Sequence, residues 1–152
     1  MAFEIPQSMK DEHDELHATL VQATKAPGAT GAAARAVAAV LHPHFVKEEA
    51  YALPPLGLLA SLARGEWTPG MRDVLAMTER LKSELPQMLA EHRAIVAALD
   101  KLHDAARAEG HSEYAQFAHD LKLHAQTEEE VAYPAAILVG EYVKVLAART
   151  PA

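Results

Sequence analysis

The feature of this chain that most limits its fold is an internal repeat of polar residues inside helix-forming stretches. Residues 12–20 (EHDELHATL) align with residues 91–99 (EHRAIVAAL), and residues 44–49 (HFVKEE) align with residues 124–129 (HAQTEE). The lone histidine and the later HxxxEE motif are 31 residues apart in the first copy and 32 in the second. In both copies a proline follows the second histidine by ten residues. A repeat at this interval indicates two similar helical hairpins.

The residues between these motifs predict helices and no strands. Alanine, the best helix former, is the commonest residue, and aromatic residues, which strands favour, make up only 5 %. Apolar residues recur at helical spacing, and prolines and glycines separate the segments. The predicted helices cover residues 6 or 8 to 25, residues 32–51 with Thr30 as N-cap, and residues 56–64, 69–109 and 112–148.

Short connections between long helices make them antiparallel neighbours. We therefore expect an all-α fold, an antiparallel up-down four-helix bundle with a short extra helix between helices two and three. The chain length of 152 residues suits one domain, so the expected domain covers residues 1–152.

Composition excludes several classes of protein. The chain has no cysteine, which rules out disulfide scaffolds, thiolate zinc fingers and iron–sulfur ligation. Its net charge of -7 argues against nucleic-acid binding, which needs clustered Lys and Arg. The first residues do not form a signal peptide, and no run reaches the roughly 18 apolar residues of a membrane span. We expect a cytoplasmic protein that binds neither nucleic acid nor membranes.

The HxxxE spacing in both copies is a metal-ligand spacing on a helix. Residues i and i+4 are neighbours, so each motif presents an imidazole and a carboxylate on the same side, one turn apart. The lone histidines of the other two helices complete a set of four imidazoles and two carboxylates. This mixture suits iron or manganese, and a carboxylate has two oxygens with which to bridge two metal ions. The predicted metal ligands are His13, His44, Glu48, His92, His124 and Glu128.

These six residues resemble the ligand set of the hemerythrin-like, or HHE cation-binding, family in its four-His, two-Glu variety. The similarity covers nearly the whole chain and includes the Glu-Glu pair after the histidine and the proline that follows. The resemblance implies a cofactor of two non-haem iron ions, bridged by oxo or hydroxo groups and by carboxylates, in a four-helix bundle. It also implies that the partner is a small molecule, namely O2, hydrogen peroxide or NO.

The sequence departs from the pattern of the oxygen-carrying hemerythrins, whose sites have five histidines and an HxxxH motif on the third helix. Here Val96 stands four residues after His92, so that second histidine is missing. The departure favours an open, redox-active site over reversible oxygen transport. The expected function is binding of, or reaction with, peroxide, O2 or NO, and any enzyme would be a di-iron oxidoreductase of the catalase or peroxidase type. The alternatives are iron or oxygen sensing, iron storage without turnover, and a metal-free or zinc-bound structural bundle.

A few more side chains are candidates for the edge of the site. Tyr51, three residues after Glu48, is a candidate ligand or outer hydrogen-bond donor, the alternative being a buried tyrosine bonded elsewhere. His17, four residues after His13, is a candidate ligand or a surface histidine.

The glutamates beside the predicted ligands should lie outside them. Glu129 and Glu49 point away from their neighbours on the helix and are expected at the rim of the site, and Glu129 is also a candidate additional ligand. Glu12 and Glu91 are expected to orient ligand imidazoles on other helices, because metal-bound histidines usually donate their second N–H to an oxygen. Tyr133, nine residues after His124, is expected to pack away from the site. The histidines expected to face solvent are His42, His103, His111 and His119.

Overall fold

The computed structural model describes residues 3–149, and within that range the chain is helical and has no strand. Its α-helices, in chain order, are α1 (Gln7–Thr24), α2 (Gly28–Lys47), α3 (Leu59–Ala63), α4 (Val74–Ala108), α5 (Ser112–Thr127) and α6 (Tyr133–Arg149). One-turn π-helices follow α2 (Glu48–Ala52) and join α5 to α6 (Glu128–Ala132), and 3₁₀ turns precede α3 (Pro54–Leu58) and α4 (Pro69–Asp73). The four long segments form the predicted four-helix bundle, and α3 is the predicted short extra helix.

Apolar side chains fill the bundle on both sides of a polar layer. The first cluster joins α1, α2, α4 and α5 through residues such as Leu16, Leu20, Leu41, Leu99 and Leu121. The second cluster includes Tyr51, Leu53, Leu81, Met88 and Tyr133. On α4, His92 lies between Met88 of the second cluster and Ile95 of the first. The predicted ligands therefore occupy a layer with packed apolar side chains above and below it.

The start of α2 differs from the prediction. The helix begins at Gly28, and Thr30 lies inside its first turn instead of at the N-cap. The exposed N–H groups are bound by Glu109, at the end of α4. Its carboxylate accepts hydrogen bonds from the Thr30 N–H at 2.7 Å, the Thr30 hydroxyl at 2.5 Å and the Ala29 N–H at 3.3 Å. A negative charge is favourable at a helix N-terminus, and this cap comes from a residue far along the chain, so the prediction of Thr30 as the cap was wrong.

Each copy of the repeat contains a one-turn π-helix at the same position. The N–H of Leu53 donates to the carbonyl of Glu48 at 2.9 Å, and the N–H of Tyr133 donates to the carbonyl of Glu128, five residues back in both cases. The next residue is a proline in both copies, and proline has no N–H and crowds the carbonyl four residues earlier. A wider turn accommodates that interruption of the hydrogen-bond ladder. The repeat in the sequence is therefore also a repeat in backbone geometry.

The helical segment from Ser112 to Arg149, which comprises α5, the π turn after it and α6, is long and apolar enough to cross a membrane by length and composition alone. Its best window of 18 residues has a mean hydropathy of 1.4, and 33 % of that window is buried inside the bundle. A single helix of this kind carries little weight, because the core helix of a soluble protein passes the same test. The expectation of no membrane association stays a prediction.

Candidate metal centre

The six predicted ligands meet in the middle of the bundle. They come from α1 (His13), from α2 and its π turn (His44 and Glu48), from α4 (His92) and from α5 and its π turn (His124 and Glu128). The side chain of His124 is 8 % exposed, and the other five residues are at most 2 % exposed. Polar groups are rarely buried this completely without a partner, so the layer needs a chemical explanation.

The ligands form two groups that share both carboxylates. In each group, one nitrogen or oxygen atom from every side chain lies within 4.8 Å of the others. The His13 group consists of His13, His124, Glu48 and Glu128. The His44 group consists of His44, His92 and the same two glutamates. Buried imidazole and carboxylate groups arranged in this way can hold a metal ion.

Each carboxylate turns one oxygen towards each group. On the side of the His13 group, Glu48 Oε2 is 3.4 Å from His13 Nε2, and Glu128 Oε2 is 3.2 Å from His124 Nε2. On the other side, Glu48 Oε1 is 2.5 Å from His44 Nε2, and Glu128 Oε1 is 3.3 Å from His92 Nε2. Two oxygens that face different imidazole pairs are the arrangement by which a carboxylate can bridge two cations.

A second ring of carboxylates holds the outer nitrogens of the histidines. Glu91 lies 2.8 Å from the Nδ1 of His44, and Glu129 lies 3.0 Å from the Nδ1 of His92. Glu12 makes a short hydrogen bond with the Nδ1 of His124.

The glutamates that precede the lone histidines thus orient imidazoles on other helices, as expected for Glu12 and Glu91. A carboxylate on Nδ1 fixes the ring so that Nε2 points to the shared oxygens. Glu91 is itself bound by the ammonium group of Lys47 at 2.7 Å.

The histidines and the shared glutamates balance one another's charge. Burial alone lowers the pKa of His13 and His92, but the nearby carboxylates of Glu128 and Glu48 outweigh it and raise the pKa of each to about 10. Burial alone raises the pKa of Glu48, but its contacts with Glu128 and with the histidines hold the pKa well below its usual range. A cation that binds here replaces these protons, because imidazole must be neutral to act as a ligand.

Tyr133 lies at the centre of the site, although the sequence predicted that it would pack elsewhere. Its hydroxyl is 3.1 Å from the Nε2 atoms of both His44 and His92 and 3.2 Å from Glu48 Oε1. In an uninterrupted α-helix a residue nine positions after His124 lies about half a turn away from it. The π turn absorbs one residue of that spacing and brings Tyr133 round to the ligand face. The proline after it, matched in the other copy, was the sequence signal for that π turn.

The remaining candidates lie outside both groups. The Tyr51 hydroxyl donates a short hydrogen bond to Glu84 and lies 3.6 Å from Met88 Sδ, and Arg80 covers its ring at 4.3 Å. Tyr51 is thus a buried tyrosine with partners of its own. His17 is exposed on α1. Glu129 is exposed too and lies at the rim of the site, as predicted. His42, His103, His111 and His119 are partly or fully exposed and belong to neither group.

The donor atoms fit a bound metal. Among the described residues, the buried polar side-chain atoms without a hydrogen-bond partner include Glu48 Oε2 and Glu128 Oε2. Both face the His13 group, and burying a charged oxygen without a partner costs free energy. A cation between them and the imidazoles of His13 and His124 would satisfy both. Nitrogen and oxygen donors in this ratio suit a first-row transition metal.

Comparisons of the chain with protein-family models, with curated proteins and with solved structures found no match.

Proposed function

We propose that this protein is a non-haem di-iron protein that reacts with a small oxygen or nitrogen species, with catalase-like removal of hydrogen peroxide as its activity. The observation that supports this most strongly is the sharing of Glu48 and Glu128 between two buried pairs of histidines. Two carboxylates that each face both pairs suit two cations held side by side better than one cation.

The donor set favours iron over other metals. Four imidazoles and two carboxylates mix the ligands that iron and manganese accept, and the lack of cysteine leaves no thiolate that would favour zinc or copper(I). Iron bound here would supply one-electron redox chemistry towards peroxide, O2 or NO. Six side chains shared by two cations leave coordination positions for a small molecule.

The chain's own residues divide the remaining work. The four imidazoles and two carboxylates bind the cations, while Glu12, Glu91 and Glu129 orient three of the imidazoles from outside. The Tyr133 hydroxyl holds a proton 3.2 Å from Glu48 Oε1, where it could exchange that proton with the small-molecule substrate. Burial raises the pKa of this phenol, so it keeps its proton at neutral pH.

An apolar pocket offers a route for the small molecule. A cavity of about 380 Å³ opens beside α1 and α3 and reaches His124 and Glu128. Its walls include Met9, Leu56 and Val131. O2 and NO partition readily into apolar surroundings, and such walls keep bulk water away from the ligands. The pocket therefore favours small neutral molecules over charged ones.

Iron analysis combined with visible spectroscopy tests the proposal. We expect two iron ions per chain, a charge-transfer absorption band of the ferric pair in the near-ultraviolet or visible, and evolution of oxygen when peroxide is added. A colourless, iron-free protein of ordinary stability would contradict the di-iron assignment. Iron binding without consumption of peroxide would instead favour sensing or storage.

A matched pair of variants separates the site from nonspecific iron binding. Glu128→Gln removes a shared carboxylate, and Glu130→Gln makes the same chemical change at an exposed position two residues away. We expect Glu128→Gln to lose bound iron and oxygen evolution and Glu130→Gln to keep both. Equal losses in the two variants would show that the iron is bound elsewhere.

A further inference from the structure

A second, more polar cavity reaches the centre from the opposite side of α1. It has a volume of about 220 Å³, and its lining includes His13, Asp14 and His17 from α1 together with His42 and Glu49 from α2 and its π turn. All of these except His13 are exposed. The buried ligand His13 therefore forms the floor of a cavity whose rim carries two imidazoles and two carboxylates.

His13 is the least restrained of the four ligand histidines. The other three each have a carboxylate within hydrogen-bond distance of Nδ1, whereas His13 Nδ1 is buried without a hydrogen-bond partner. Its nearest carboxylate oxygen, on Glu49, is 3.7 Å away. The ring is held by a hydrogen bond between its Nε2 and His124 Nε2 at 3.2 Å and by stacking on Phe45, with centroids 4.3 Å apart and an angle of 14° between the planes. His13 is therefore the one ligand histidine whose Nδ1 is not fixed by a carboxylate.

The two nitrogens of His13 face different spaces. Nε2 lies 3.2 Å from His124 Nε2 and 3.4 Å from Glu48 Oε2, inside the His13 group. Nδ1 lies on the side of Glu49, which lines the polar cavity. One imidazole thus spans the wall between the cavity and the metal centre and offers a donor atom to each.

The rim has the chemistry that captures a divalent cation. His17 and His42 line this cavity and also a neighbouring one of about 60 Å³ between α1 and α2, so they face the same groove. Imidazole and carboxylate are the donor types of the buried centre itself. Among the described residues the rim side chains do not form a compact group of ligand atoms like the two in the core. Donors of the right type in a loose arrangement bind a cation weakly, as a transient binding site must.

We infer that this polar cavity is the entrance through which divalent cations reach the centre. A cation binds first among His17, His42, Asp14 and Glu49, then passes to the His13 group by way of the His13 imidazole, whose two nitrogens face the two spaces. This proposal rests on the proposed metal centre, because the cations that enter the cavity must bind there. The lining of the apolar pocket on the other face is mostly apolar, and its one exposed carboxylate, Glu12, is already bound to His124, so the two cavities would serve different molecules.

Uptake of Co2+ alone by the metal-free protein tests this inference. Stopped-flow visible absorption follows Co2+ as imidazole and carboxylate ligands replace its water, and the endpoint gives the stoichiometry. In the wild type we expect the rate to saturate as the Co2+ concentration rises, because a complex at the rim forms first. In His17→Gln/His42→Gln we expect uptake at micromolar Co2+ to be about tenfold slower, the scale of electrostatic and local-concentration effects on association. The final stoichiometry should not change.

The matched control is His103→Gln/His119→Gln, which removes two imidazoles from the surface between α4 and α5. It should load at the wild-type rate. Asp14→Asn, a change of one exposed side chain, should slow uptake in the same direction as the His17/His42 variant.

Three results would overturn the entrance: unchanged uptake in the His17/His42 variant, equal slowing in the control, or a lower final stoichiometry, which would make the rim histidines ligands. A wild-type protein that takes up no Co2+ would overturn the metal centre as well.

Discussion

At the scale of single residues, three of the four ligand histidines, His44, His92 and His124, are each held at Nδ1 by a glutamate from another helical segment. Glu12 precedes His13 in the chain but binds His124, and Glu91 precedes His92 but binds His44. The Glu-His dipeptide of each copy therefore contributes a ligand and also orients the ligand of a neighbouring helix. Because of this crossing, the ligand geometry and the pairing of α1 with α5 and of α2 with α4 depend on each other.

Tyr133 gives the sharpest prediction at this scale. Tyr133→Phe removes the hydroxyl that lies among His44, His92 and Glu48 and leaves those buried atoms with one partner fewer. We expect the metal-free protein to lose about 1 kcal/mol of unfolding free energy, the usual net value of a buried hydrogen bond. Urea unfolding in the presence of a chelator measures it.

The control for Tyr133 is Tyr142→Phe, because the side chain of Tyr142 on α6 is 44 % exposed. Its unfolding free energy should stay close to that of the wild type. An equal loss in both variants would mean that the hydroxyl of Tyr133 contributes nothing specific to the site.

At the scale of helices, close contacts between α4 and its neighbours set the frame that positions the ligands. Glu109 at the end of α4 caps the start of α2, and Thr78 near the start of α4 packs against Gly140 of α6. Since α4 also carries His92, a displacement of either end of this helix would shift a ligand. Both contacts join residues distant in the chain, so neither has a local sequence signature.

The Glu109 cap should give a stability that depends on pH. Hydrogen bonds from the Thr30 hydroxyl and N–H lower the pKa of Glu109. A carboxyl whose pKa is lower in the folded state adds stability above its unfolded pKa and loses that contribution as pH falls through the folded value. Glu109→Gln should therefore unfold at a lower temperature than the wild type at pH 7.

The difference in midpoint between Glu109→Gln and the wild type should shrink as the pH falls below the usual glutamate range and through the lowered pKa of folded Glu109, because the wild-type carboxyl then becomes protonated too. Thermal melts of both proteins across this range test the cap. A difference that stays constant with pH would contradict the role of the charge.

Gly140 is expected to tolerate no side chain. A Cβ on Gly140 would lie 2.2 Å from Thr78 Oγ1 and 2.6 Å from Thr78 Cβ, both far inside contact distance. Gly140→Ala should therefore cost about 1–3 kcal/mol, as overpacked substitutions do, and separate α6 from α4. Helix propensity alone predicts the opposite sign, a gain of about 1 kcal/mol.

A double-mutant cycle with Thr78→Ala tests the contact directly, because that change removes Oγ1 and Cγ2. The cost of Gly140→Ala should be smaller in the Thr78→Ala background. A stabilising Gly140→Ala would show that the two helices already have room to move apart.

At the scale of the whole molecule, the sequence was sufficient for the architecture because the repeat is regular. Two copies of one polar pattern on apolar, alanine-rich helices specify a symmetric bundle and place six donors in one layer of it. The position of Tyr133 was predicted wrongly because the two copies of the repeat differ there. Tyr133 has Leu53 as its counterpart in the other copy, and its position depends on a π turn, which a count of 3.6 residues per turn cannot represent.

The sharing of carboxylates leads to a prediction about the whole centre. Glu128 belongs to both groups of ligands, whereas His124 belongs to the His13 group only. Glu128→Gln should weaken the binding of both cations, and His124→Gln should remove one and leave the His44 group able to bind the other. Bound metal per chain, measured after gel filtration, should fall from two to near zero in the first variant and to one in the second.

Thermal stability gives an independent reading of the same difference. A cation present at 100 times its Kd stabilises the folded protein by about 2.7 kcal/mol per site. Added metal should therefore raise the melting temperature most in the wild type, less in His124→Gln and least in Glu128→Gln. If His124→Gln and Glu128→Gln lost the same amount of metal and the same increase in melting temperature, the two groups would act as one site, and the dinuclear proposal would be wrong.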